Sequence, residues 1–192
     1  GAQHTNDVNM SEATVKRMLT VLAQESGPSK IKAASALGDA RIHSAKVLNA
    51  LSKQLKDDNP LVRAAVIYAM GRSGEAETAS DIITMLEDDV PAVRTAACAA
   101  LQELRVELKP AVLPLADPEA EVRLAAAQAI GRLRPPGYLK AVSQRISQET
   151  DTAVRLELML ALNGSPADEV SPQLIRSMLK DRNAAIRTAA AT

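Results

Sequence analysis

The sequence predicts an all-α protein, an α-α superhelix of about six antiparallel helix pairs, and three observations carry that expectation. One phrase returns along the chain: Asp57-Asp-Asn-Pro-Leu-Val62-Arg63-Ala-Ala, Asp88-Asp-Val-Pro-Ala-Val93-Arg94-Thr-Ala-Ala, Asp117-Pro-Glu-Ala-Glu-Val122-Arg123-Leu-Ala-Ala, Asp151-Thr-Ala-Val154-Arg155-Leu and Asp181-Arg-Asn-Ala-Ala-Ile186-Arg187-Thr-Ala-Ala. Its Val/Ile-Arg pairs stand 31, 29, 32 and 32 residues apart, a period that marks stacked supersecondary units rather than one globular core. The second observation is composition: 46% of the 192 residues are hydrophobic, yet there is no Trp, no Phe and only Tyr68 and Tyr138. Apolar content made of Ala, Leu, Val, Ile and Met suits helices that approach closely, and a stack one helix pair thick needs little aromatic bulk. The third is punctuation, with proline at the expected start and glycine at the expected end of a unit's second helix.

The elements follow in order. Residues 1–10 are polar without an apolar period, which predicts a disordered N-terminal segment. A single solenoid is expected over 11–192. Val15, Met18, Leu19 and Leu22 form the i, i+3, i+4, i+7 stripe of a first helix, which Gly27-Pro28 breaks. In this opening unit Ile31-Lys32 stands near the Val-Arg position but Gly38 follows too soon, as in an end cap. The second unit carries Val47, Leu48, Leu51 and Leu55, a turn at Asp57–Asn59, and Pro60 at the first position of its second helix. Gly71, with Gly74 close behind, is expected to end that helix. Ala79, Ile82, Ile83 and Leu86 open the third unit, and its second helix runs from Pro91 to about Leu104. In the fourth, Pro110 and Pro114 predict a short or kinked first helix. Leu139, Val142 and Ile146 mark the fifth after the break at Pro135-Pro136-Gly137. Ser171-Pro172 starts the sixth, with Leu174, Ile175 and Leu179 as its stripe.

Charge and motif content narrow the function classes. Lys and Arg number 23 and Asp and Glu 23, without the basic excess of nucleic-acid binding, so no nucleic acid is expected as partner. No apolar run approaches the roughly 20 residues of a membrane span, and no membrane insertion is expected. Cys98 is the only cysteine and reads as a small buried hydrophobe. The six methionines fall mostly at core-stripe positions. There is no Cys-x-x-Cys, no phosphate-cradling Gly-rich loop and no Gly-x-Ser-x-Gly, so no catalytic, cofactor-binding or metal site is predicted. Gly1-Ala2-Gln3 has no initiator Met, which points to a tag remnant or a cut precursor. If Ala2 follows a removed signal peptide the protein is exported or periplasmic; otherwise it is cytoplasmic. Ala189-Ala-Ala-Thr192 stops before the turn that closes the corresponding helix in earlier repeats, an expectation that the parent chain continues.

Asp-x-x-Pro-x-Val-Arg-x-Ala-Ala, followed by Ala69-Met70-Gly71 or Ala129-Ile130-Gly131, resembles the HEAT repeat, and more narrowly the short HEAT-like repeats of phycobilisome lyases and bacterial adaptors. The resemblance covers about Ser11 to Thr192. It implies that Arg63, Arg94, Arg123, Arg155 and Arg187 bond to turn carboxylates, among them Asp57, Asp88, Asp117 and Asp181, and to backbone carbonyls of their own or a neighbouring unit. An Arg fork bridges several acceptors where Lys offers one charged point. HEAT-type di-iron hydroxylases use His-Glu pairs, whereas here His4 precedes Thr5 and His43 precedes Ser44.

In stacks of this kind the second helices line the concave side. Positions two and six residues after each Val or Ile should point away from the first helices: Ala64 and Tyr68, Thr95 and Ala99, Leu124 and Gln128, Leu156 and Leu160, Thr188 and Thr192. Tyr68, Leu124, Leu156 and Leu160 are the apolar candidates for protein binding. Glu157 stands where other units have Ala65, Ala96, Ala125 and Ala189, and must reach solvent or find a cation such as Arg145. The expected function is a non-enzymatic scaffold or adaptor that binds a protein or peptide on its concave face, as a monomer or weak oligomer. The alternative implied by the resemblance is a lyase-like or chaperone-like protein handling a tetrapyrrole (bilin) on a partner protein.

Overall fold

Apolar stripes at helical spacing fold here into helices and nothing else: the described residues, 10–166 and 169–191 of a computed structural model, hold eleven α-helices, four 3-10 turns and no strand. The expected disordered segment lies outside the described residues apart from Met10, as do His4 and Thr192. The fold class is all-α, an α-α superhelix.

The chain divides into two compact units, 1–104 and 105–192. The first holds α1 (Glu12–Gln24), α2 (Gly27–Asp39), α3 (Ala45–Lys53), α4 (Pro60–Ser73), α5 (Ala79–Thr84) and α6 (Pro91–Leu104). Single 3-10 turns, Gln54–Lys56 and Met85–Glu87, finish α3 and α5. The second unit holds a 3-10 turn at Pro110–Val112, then α7 (Ala120–Leu133), α8 (Tyr138–Ile146), α9 (Thr152–Leu162), α10 (Pro172–Leu179) and α11 (Ala184–Ala190). Second helices stack directly on one another: α2 on α4 on α6 in the first unit, α7 on α9 on α11 in the second.

Local chemistry starts these helices. Ser11, Ser44, Asp151 and Ser171 each accept a backbone N–H three residues ahead, and Asn59 and Asn183 accept from the first turn. Val47, Leu48, Leu51 and Leu55 are buried as their stripe requires, as are Ile82, Leu86, Val142 and Ile146. Met70, Met85, Met159 and Met178 pack in the cores and Cys98 is fully buried. In α10 the buried residue is Met178; Leu179, expected in the stripe, is 42% exposed. The short helix turns one step further than the stripe assumed.

The glycines require a larger correction. Gly71 does not end α4 but lies buried inside it, and Gly74, with φ of 78°, is the left-handed stop. A Cβ on Gly71 would sit 2.8 Å from the Ala100 Cβ and 2.9 Å from its Cα; one on Gly38 would sit 2.9 Å from the Ala69 Cα. Gly131 faces Ala161 in the same way, with 3.1 Å to its Cβ. These glycines are missing side chains that let consecutive second helices touch backbone to backbone.

Candidate functional site

At the N-terminal ends of the second helices the repeated Asp and Arg assemble into a ladder. Arg63 sends Nε and Nη2 to the two carboxylate oxygens of Asp88, in the next repeat, at 2.8 and 2.9 Å. Its Nη1 donates to the carbonyls of Asp57 and Asp58, in its own turn, at 2.8 and 3.4 Å. One planar fork thereby ties two repeats, which a lysine cannot do with the same geometry. Arg94 donates to the carbonyls of Asp88 and Asp89 at 2.7 and 3.4 Å. Arg155 pairs with Asp181, and Arg187 donates to the carbonyls of Asp181 and Arg182 at 2.7 and 3.0 Å.

The carboxylates are themselves held by the turns they begin. Asp57, Asp88, Asp117 and Asp181 each accept the N–H two residues ahead, at 2.8–3.0 Å. Burial pushes the Asp88 carboxyl up, but the Arg63 fork and the Val90 N–H outweigh it and leave it below its ordinary value. For Asp57 the hydrogen bond from Lys30 is the chief cause of a lowered value.

Two members of the ladder were missed by sequence reasoning. Lys30, not the Ile31-Lys32 pair, occupies the arginine slot of the opening repeat, donating to Asp57 Oδ2 at 2.7 Å and Gln54 Oε1 at 2.8 Å. Gly38 therefore does not come too soon: it follows Lys30 at the distance Gly71 follows Arg63 and Gly131 follows Arg123. Glu149 is the second. It takes the fork of Arg123 on both oxygens at 2.9 Å, Arg145 on Oε2 at 2.9 and 3.1 Å, and the N–H groups of Thr150 and Asp151 on Oε1. Asp151 instead caps α9. Arg123 also donates to the carbonyls of Asp117 and Pro118. The Glu149 side chain is wholly buried. Burial alone pushes it up, yet the Arg123 fork, the Asp151 N–H and Arg145 bring it from 4.5 down to about 2. The available signal was spacing: each ladder carboxylate stands six residues before its arginine, and Glu149 stands six before Arg155.

Arg145, proposed as the cation for Glu157, is thus committed to Glu149. Glu157 is half-buried, and its carboxylate makes no hydrogen bond or ion pair among the described residues. Its slot is buried at Ala125 but half-exposed at Ala65, Ala96, Ala189 and Glu157 itself, so the carboxylate is not forced into a close helix contact.

Away from the first helices, Tyr68 and Leu160 are 42% and 43% exposed, and Leu124 and Leu156 are half-buried. Leu124 lies on α7 and Leu156, Glu157 and Leu160 on its neighbour α9, while Tyr68 belongs to the first unit. The Tyr68 ring packs over Gly38, where an added Cβ would approach it to 3.1 Å, and its hydroxyl donates to Asp39 Oδ1 at 2.6 Å. That carboxylate, with burial second, raises the phenol above its usual value.

The far ends of the second helices carry another recurring feature. Arg41, Arg105 and Arg134 all take left-handed backbone, with φ of 50, 53 and 45°, where Gly74 stands in the second repeat. Such a conformation costs a non-glycine residue about 1 kcal/mol or more. Two of them use the position to cross repeats: Arg41 reaches the Arg72 carbonyl at 3.4 Å and Arg134 the Asn163 carbonyl at 2.6 Å.

A graded stability effect follows from the ladder. Arg63→Ala leaves Asp88 and two turn carbonyls short of donors in a part-buried place and is expected to destabilise by about 2 kcal/mol. Arg187→Ala, whose bonds are exposed and to carbonyls alone, is expected to shift the melting temperature less. Equal shifts in thermal melts would contradict the ladder.

Among curated proteins none matches this chain. Solved structures do: an engineered protein from a structural-genomics consortium is 14% identical, with 92% of this chain and 93% of that one aligned at a TM-score of 0.60. Another engineered protein is 16% identical over 92% of this chain and 56% of its own, with a TM-score of 0.59. At such identity the likeness speaks for the fold. The profile of a family described as HEAT repeats matches residues 15–105 and 108–192, nearly the whole sequence. With its ladder of forward-reaching cations and its stacked second helices, the chain belongs to the HEAT-repeat family.

Proposed function

We propose that the protein is a non-enzymatic scaffold, monomeric or weakly oligomeric, that binds a protein or peptide segment along the face of its second helices. The observation that carries this reading is the sixth position after each Val of the repeat: Tyr68, Ala99, Gln128 and Leu160 are all exposed and all uncharged. Within each unit, small or uncharged side chains beside an exposed Tyr68 or Leu160 suit apolar anchors of a partner. In the second unit Leu124, Leu156 and Leu160 supply the apolar surface and Glu157 an unpaired carboxylate beside it, which favours a partner carrying a basic residue among apolar ones. HEAT repeats are commonly interaction scaffolds, which agrees with this reading.

A photo-crosslinking amino acid placed at Ala99 or Gln128 tests it. Adducts with a protein partner that disappear on Leu160→Glu at the Gln128 position are the expected result. Adducts formed equally from probes on the first helices, and unaffected by that substitution, would overturn it.

A further inference from the structure

The fourth repeat lacks its first helix. Where α3 and α8 each provide nine residues, this repeat has one 3-10 turn at Pro110–Val112 and then extended chain at Leu113. Pro110 and Pro114 account for the loss, since an interior proline deletes a helix hydrogen bond and clashes with the preceding turn. Between this segment and α8 lies an open groove of about 1140 Å³, wholly within the second unit.

Its two walls differ in chemistry. Pro110, Pro114 and Leu115 make one wall apolar. The flank of α8 makes the other, with Lys140 and Gln144 lining the groove and Gln148 just beyond the helix end, and Lys109 stands at the opposite rim. Both lysines are exposed, and neither side chain makes a hydrogen bond or ion pair among the described residues. The remaining charges at the groove are already engaged: Arg145 is held by Glu149, and the Asp117 carboxylate accepts the Glu119 N–H. The groove therefore presents an apolar side, an amide side and two unmatched positive charges.

We propose that this groove seats an acidic amphipathic helix of a partner protein, about nine residues long to match α8 and lying where the repeat's own first helix would stand. Its apolar stripe faces the proline wall, and its carboxylates face Lys109 and Lys140. A second copy of this chain fits poorly, because the first helices α1, α3 and α10 expose Lys16, Arg17, Lys46, Lys53 and Arg176, and α5, which carries Asp81, is only six residues long. This site is separate from the second-helix face, shares no residue with it, and is tested by different substitutions.

The test is selection of displayed helical peptides of about three turns against the full chain, followed by anisotropy titration of the winners. The expected winners carry Asp or Glu on one helical face and Leu or Ile on the other. Lys109→Glu/Lys140→Glu should weaken them about tenfold, and peptides with Lys in place of the acids should then prefer the double variant. Both lysines are exposed, and an unchanged circular dichroism melt will establish that the variant folds. Several outcomes would overturn the proposal: no enrichment, enrichment of basic or proline-rich extended sequences, binding indifferent to the double variant, or a concentration-dependent dimer that the double variant abolishes.

Discussion

Glu149→Gln is expected to destabilise the second unit by about 3 kcal/mol at neutral pH, the range for removing one partner from a buried ion pair. Gln keeps the shape and accepts some of the same bonds, but it leaves Arg123 and Arg145 without the charge that holds both forks. The effect carries its own pH signature. The folded carboxyl titrates at about 2 against an ordinary 4.5, so its stabilisation is fully present above about pH 4.5 and lost as pH falls toward 2. A shift of that size is worth about 3 kcal/mol. Denaturant melts of wild type and Glu149→Gln should diverge at pH 7 and converge near pH 2. Parallel loss in both proteins between those limits would assign the acid sensitivity elsewhere.

Gly71→Val should cost the first unit about 3 kcal/mol, at the upper end for overpacking a close contact. The obstacle is backbone: the new Cβ meets the Ala100 Cα at 2.9 Å, and α6 cannot move without disturbing its own ladder bonds. Gly131→Ala is the control, because its neighbour is the Ala161 Cβ at 3.1 Å and the helix preference for alanine, about 1 kcal/mol, offsets a small adjustment. A Gly71→Val protein that melts with wild type would mean that α4 and α6 do not need backbone contact.

Both cases mark where the sequence was legible and where it was not. Stripes such as Val47, Leu48, Leu51 and Leu55 were readable because helical burial repeats every three or four residues. Gly71 was misread as a stop because glycine serves both to end helices and to let them touch, and only the neighbour across the gap distinguishes the two. Lys30 and Glu149 escaped because each keeps its slot's charge while changing residue type. A six-residue spacing preserved the geometry where the letters did not. The groove beside α8 was foreshadowed by Pro110 and Pro114, but which flank of α8 their segment leaves open depends on packing.

The direction of the ladder has a consequence for how such a chain can change its length. Lys30, Arg63, Arg123 and Arg155 all reach forward, each to the carboxylate of the following turn. At these four joints the plug and the socket differ, so each joint is head-to-tail and has no built-in closure. A duplicated whole repeat would arrive with both halves and join on either side, while a partial one would strand a charge at two joints. Growth and loss along this ladder should therefore proceed in steps of the 29 to 32 residues that separate its arginines.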